Sequence, residues 1–208
     1  MLKELEDKTK ENEEEIKSRF YAPLQFGTAG LRGIMGMGIN RMNRHVINHA
    51  TQAFADVICA EGEDAKKRGV VICFDCRMGS ESFAQSAASV MAANGIYVRI
   101  FESLRPTPEL SFAIRHYGAA AGINITASHN PKEYNGYKVY WSDGAQLPPQ
   151  HVKAIAVMDR SDSFNAISGP VFAEDPEPRE IQRGAHRLRQ KPDLAPHHRD
   201  PERRQGRD

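Results

Sequence analysis

Apolar and polar positions divide this chain into short β-branched runs separated by amphipathic stretches. Residues 43–60 place Val46, Ile47, Ala50, Phe54, Val57 and Ile58 at helical spacing, which predicts a helix with one apolar face. Val70-Val71-Ile72-Cys73-Phe74 is a continuous apolar run and predicts a buried strand. Ser80 is the expected N-cap of the next helix, which carries Phe83, Ala87, Val90 and Met91 on one face and ends at Gly95. Residues 96–101 are the following strand. Thr107 then reads as a cap, with Pro108 at the first helical position and Gly118 closing the helix. The apolar run 119–125 predicts another buried strand. It opens into Thr126-Ala127-Ser128-His129-Asn130-Pro131, where Asn-Pro starts a turn. Lys138 to Trp141 forms a short strand after the Asn135-Gly136 turn, so a hairpin-like pairing is expected. Pro148-Pro149 opens a last helix with Val152, Ile155 and Ala156 facing inward.

Short strands alternating with amphipathic helices imply a layered α/β/α fold. The expected sheet is mixed and mostly parallel, with one antiparallel strand pair beside Ser128. Three segments follow from the patterning. Residues 1–22 are a helical extension dense in Glu and Lys, read as a solvated helix packed loosely at one edge. Residues 23–167 are the domain. Residues 168–208 are a tail that is disordered by composition, with six prolines and eight arginines after Gly169 and few large apolar groups. We read this tail as translation outside the frame of the domain.

Composition narrows the class. The 208 residues are 40% apolar, enough for one domain core, and the net charge of +1 offers no field for nucleic acid or membrane. No apolar run is long enough to span a bilayer, and the first residues are too acidic for a signal peptide. Three cysteines without regular spacing make no disulfide framework. A cytoplasmic location is the expectation. Cys73 and Cys76 form a Cys-x-x-Cys that opens a thiol-redox reading, although Cys73 falls inside a strand rather than at a helix start. His45 and His49 are four apart without a third ligand and read as surface histidines.

The chemistry concentrates at Ser128. A strand's C-terminal end is where open α/β sheets place ligands. There a hydroxyl stands beside an imidazole, His129, with an ammonium, Lys138, ten residues on. Upstream, Gly27-Thr28-Ala29-Gly30-Leu31-Arg32-Gly33 spaces three glycines three apart. It lacks the marks of a nucleotide loop. Asp75-Cys76-Arg77 ends the first predicted buried strand.

These words resemble the α-D-phosphohexomutases, the phosphoglucomutase and phosphomannomutase superfamily. Thr126 to Pro131 is similar to the family's phosphoserine signature. The Gly-Thr-Ala-Gly-Leu-Arg-Gly and Arg-Pro-Thr-Pro-Glu-Leu segments look like its phosphoglucomutase and phosphopentomutase branch. The resemblance covers about residues 1–167, the first of four family domains. It implies transfer of a phosphoryl group between C1 and C6 of a hexose phosphate, with a hexose 1,6-bisphosphate as primer. By resemblance Ser128 carries the phosphoryl group, Lys138 is a general base and His129 a polar partner. Arg32 would stabilise charge, and Arg77 would hold the active-site loops together. Thr28, Gly30 and Asn130 would belong to the loops around the substrate. The family's Mg²⁺ sits between the serine phosphate and three aspartates of a later loop, which this sequence lacks. Ser128, through its phosphate, is the one metal-linked residue present. The resemblance therefore implies a fragment with little or no activity of its own, whose natural packing partner is the rest of a mutase. Two alternatives stay open: a non-catalytic partner at a domain interface, and a thiol-redox protein using Cys73 and Cys76.

Overall fold

The computed structural model describes residues 13–27, 30–148, 151–152 and 155, and the backbone of 185–188. The elements run α1 (Glu13–Phe20), β1 (Leu31–Ile34), α2 (Arg44–Ala60), α3 (Glu63–Arg68), β2 (Val70–Phe74), α4 (Ser80–Ala93), β3 (Val98–Phe101), α5 (Thr107–His116), β4 (Ala121–Ile125), β5 (Tyr134–Trp141) and β6 (Ala185–Leu188). They form one sheet in the order β1-β5-β4-β2-β3-β6. β2 lies parallel to β3 and β4, and β6 lies parallel to β3. β5 runs antiparallel to both β4 and β1.

The expected α/β layering and mixed sheet are present. The antiparallel part is larger by one pair, because residues 31–34, read as part of a glycine loop, pair with β5. Within the predicted disordered tail, only 185–188 are described. They lie parallel along the open edge of β3, where unpaired backbone groups accept an extended segment whatever its side chains. The rest of the tail lies outside the described residues, as do residues 1–12 and Ala156.

Every residue of β2 and β4 is buried, as strands covered on both faces must be. Register assigns the faces. Val70, Ile72, Phe74, Ile123, Ile125, Tyr137 and Val139 join the larger core under α2 and α4. Val71, Cys73 and Tyr140 join a smaller core with Leu110, Ala113 and Ile114 of α5. The predicted inward residues Val152 and Ile155 are buried in the larger core.

Three local expectations change. α1 is not loosely held. Asn40 N–H donates to the Arg19 carbonyl, and the buried Arg41 guanidinium donates to the Ser18 carbonyl and hydroxyl. Carbonyls at the end of a helix have no partner within it, and this loop supplies one. Ser80 and Thr107 are the first residues of their helices, behind Gly79 and Pro106 as N-caps. Their hydroxyls are taken by side chains from other elements, described below. His49 is buried on the inner side of α2, while His45 is exposed.

Candidate active site

The loop between β4 and β5 leaves the sheet at Thr126. The buried Thr126 Oγ1 accepts the Ser128 N–H at 2.9 Å, a tight turn closed by its own side chain. Ser128 is exposed and is the one non-glycine residue with positive φ, +59°, among the described residues. That left-handed conformation is costly for a residue with a Cβ and gathers at functional sites. His129 Nδ1 stands 3.4 Å from Ser128 Oγ, at the outer edge of a hydrogen bond.

Arg77 holds this loop. One terminal nitrogen donates to the Pro131 and Tyr134 carbonyls at 2.8 and 3.0 Å. The other donates to the Ser128 and Asn130 carbonyls at 2.8 and 2.6 Å. Its Nε lies 3.4 Å from Asp75 Oδ2, and the side chain is 14% exposed. The planar guanidinium thus grips both ends of the loop at once, which an ammonium's point charge would not reproduce.

Behind Arg77 a polar network fixes its base. Asp75 Oδ1 accepts the Arg77 N–H at 2.9 Å and the Ser80 hydroxyl at 2.7 Å. Asn135, fully buried on β5, donates to Ser80 Oγ and the Met78 carbonyl. Its Oδ1 accepts the Gly136 N–H. β2, α4 and β5 are locked together beneath the serine. The Asp-x-Arg frame is visible in the sequence, whereas Asn135 reads there as a turn residue and Ser80 as a cap. Their polarity inside otherwise apolar surroundings was the available signal.

Arg32 reaches the loop from β1, donating to Asn130 Oδ1 at 3.0 Å. It is in register with Gly136, where a Cβ would meet the Thr126 and Leu31 carbonyls at 2.6 and 2.9 Å. Lys138, two residues on along the same face, is half-buried. Burial lowers its pKa, the Arg32 charge adds to this, and Asp75 opposes it. A lysine so placed gives up its proton more readily than an exposed one. Gly30 (φ +104°) packs against β5, and a Cβ there would drive into the Tyr137 carbonyl. Thr28 lies outside the described residues.

Cys73 sits fully buried, its Sγ 3.2 Å from the Arg105 carbonyl, and burial pushes its pKa up to about 12. Cys76 is exposed. A thiol that keeps its proton does not attack a disulfide, which removes Cys73 as the attacking group of the thiol-redox reading. Beside Arg77 a groove of about 580 Å³ is lined by Phe74, Asp75, Cys76, Glu81, Gln85 and Leu104. Met78 and Leu104 are exposed there, at 82% and 53%.

A Mg²⁺ ion needs several oxygen ligands, carboxylates above all. No group of three His, Cys, Asp or Glu among the described residues is arranged to hold a metal ion. Asp75 is already spent on Arg77 and Ser80. The described residues do not fit the ion.

Ser128 thus stands exposed in a left-handed turn after β4, with His129 beside it, Arg32 bonded to Asn130 of the same loop, and Lys138 on the same sheet face as Arg32. The chain belongs to the phosphoglucomutase/phosphomannomutase family, residues 23–165 matching its alpha/beta/alpha domain I. It is similar to the human phosphopentomutase, 46% identical over 151 residues that cover 70% of this chain and 25% of that protein. It is also similar to the phosphoglucomutase of Staphylococcus saprophyticus, 42% identical over 79% of this chain and 28% of that protein. Among solved structures it resembles the open form of parafusin, a phosphoglucomutase from Paramecium. That match has a TM-score of 0.56 and 25% identity, over 68% of this chain and 26% of that one. The chain spans about a quarter of the length of these relatives.

Proposed function

We propose that this chain is the phosphoserine domain of a phosphoglucomutase-type mutase, acting on a hexose phosphate. The observation that carries this reading is the Arg77 clamp. It spends four guanidinium hydrogen bonds on holding one exposed serine in a left-handed turn. In the reaction, the sugar hydroxyl oxygen attacks the phosphorus on Ser128 Oγ. The new O–P bond forms as the Ser128 O–P bond breaks, and the hydroxyl proton passes to the neutral amine of Lys138. The bisphosphate then turns and returns its other phosphoryl group to Ser128. Arg32 offsets charge on the transferring oxygens, and His129 partners the serine oxygen. Mg²⁺ and a hexose 1,6-bisphosphate primer belong to this reading, with carboxylate ligands supplied by further mutase domains. A cytoplasmic location suits three unpaired cysteines.

The exposed Met78 and Leu104 beside the groove support a second reading, a surface for docking other mutase domains. With that surface bare, the 208 residues alone turn over slowly or not at all. The test is incubation of the chain with labelled glucose 1,6-bisphosphate, peptide mass spectrometry, and a coupled assay with glucose 1-phosphate. Label is expected on Ser128 with negligible turnover. Label elsewhere overturns the phosphoserine assignment, and brisk turnover overturns the incompleteness.

A further inference from the structure

Asn124 is the polar residue inside β4, four positions before Ser128, and it is 1% exposed. Its Nδ2 donates to Thr107 Oγ1 at 2.9 Å, which ties β4 to the start of α5. Tyr140 also interacts with the same carboxamide. Asn124 Oδ1 is buried and accepts nothing from the described residues. A buried acceptor without a donor is costly, and native proteins rarely leave one without a use.

A donor without a partner of its own among the described residues, the Lys138 ammonium, is in register with it. Asn124 pairs directly with Lys138 across β4 and β5, so both side chains rise from the same face. Opposed residues of antiparallel strands have Cβ atoms about 5 Å apart, within the span of a lysine stem. No hydrogen bond to the Lys138 ammonium occurs among the described residues. An unfilled acceptor and an unfilled donor are therefore neighbours.

We propose that Asn124 is a positioning residue for Lys138, its Oδ1 being the rest site onto which the ammonium folds when it is not engaged with substrate. This rests on Lys138 being the base of the proposed reaction. A neutral amide acceptor suits the role because it restrains an ammonium without forming an ion pair too strong to release. The other groups acting on this lysine are Arg32 from β1 and Asp75 after β2. Thr107 of α5 holds the carboxamide's other end.

The test is competitive acylation of Lys138 in the full chain, followed by mass spectrometry across pH. An acceptor favours the charged amine, so Asn124→Leu frees the neutral form at lower pH. At pH 8 its Lys138 acylates roughly threefold faster than in the unmodified chain. Thr107→Val, which removes one other contact of the carboxamide and leaves Oδ1 in place, leaves the Lys138 profile unchanged. A folded Asn124→Leu with an unaltered Lys138 profile overturns the proposal. If Asn124→Leu does not fold, the isosteric Asn124→Asp replaces it. The added charge then slows Lys138 acylation roughly threefold, and an unchanged rate overturns the proposal equally. The readout needs no turnover, so loss of the mutase reading would not alter it.

Discussion

The two faces of β5 show how this domain divides stability from chemistry. Tyr137 and Val139 point into the larger core under α2 and α4 and are fully buried. Lys138, between them, points the other way, onto the face where α5 covers β2, β4 and Tyr140 of β5. Beside it, Arg32 and Ile34 of the edge strand are exposed. One face is packed to exclude water. The other is partly open to solvent at Lys138 and beside Arg32 and Ile34. Period-2 alternation makes this possible within a single strand, because Tyr137 and Val139 face one side and Lys138 the other.

The sharpest way to break the comparison is a matched pair of truncations. Ile123→Ala, on the packed face of β4, costs about 3 kcal/mol by lost burial and a cavity. Ile34→Ala, on the open face, stays within about 0.5 kcal/mol. Urea unfolding of both variants measures the gap, and similar costs would mean that the open face is also core. Next in size is Arg77. Arg77→Ala leaves four loop carbonyls without their donor and costs about 2 kcal/mol, while Arg77→Lys recovers less than half of it. In both variants amide exchange across 128–134 accelerates far more than in β2 or β4. Uniform acceleration would show that Arg77 supports the sheet rather than the loop.

Most of this layout was legible in the sequence. The buried runs at 70–74 and 119–125 and the helical face at 43–60 announce a layered sheet, because burial on both sides demands continuous apolar strands. Ser128, Arg32 and Lys138 were legible as words, and the fold brings Arg32 and Lys138 to one face. Three things were not legible. The pairing of β1 with β5 joins residues about a hundred positions apart, and no local pattern carries that register. The network of Asp75, Ser80 and Asn135 uses residue types that locally favour caps and turns, so their long-range bonds were hidden behind adequate short-range readings. The hold of Arg41 on α1 was masked in the same way, since a charge-rich helix reads as solvated until its end carbonyls are traced to a partner.

The smallest effect is the most specific to the serine loop. Ser128 pays for a left-handed backbone that glycine adopts freely, an expense of about 1 kcal/mol for a residue with a Cβ. Glycine returns part of that gain through the greater freedom of its unfolded chain. Ser128→Gly should therefore be more stable than Ser128→Ala by roughly 0.5 kcal/mol, although neither can carry a phosphoryl group. Both keep the N–H that Thr126 Oγ1 accepts, so the difference isolates the backbone. Arg77 donates to the carbonyls of Ser128 and Asn130 on either side of the turn. In an Arg77→Ala background the loop can relax, and the advantage of glycine over alanine should vanish. A gap that survives there would locate the strain in the Thr126 turn instead of the clamp, and would move the origin of the serine's posture from α4's side of the sheet to β4 itself.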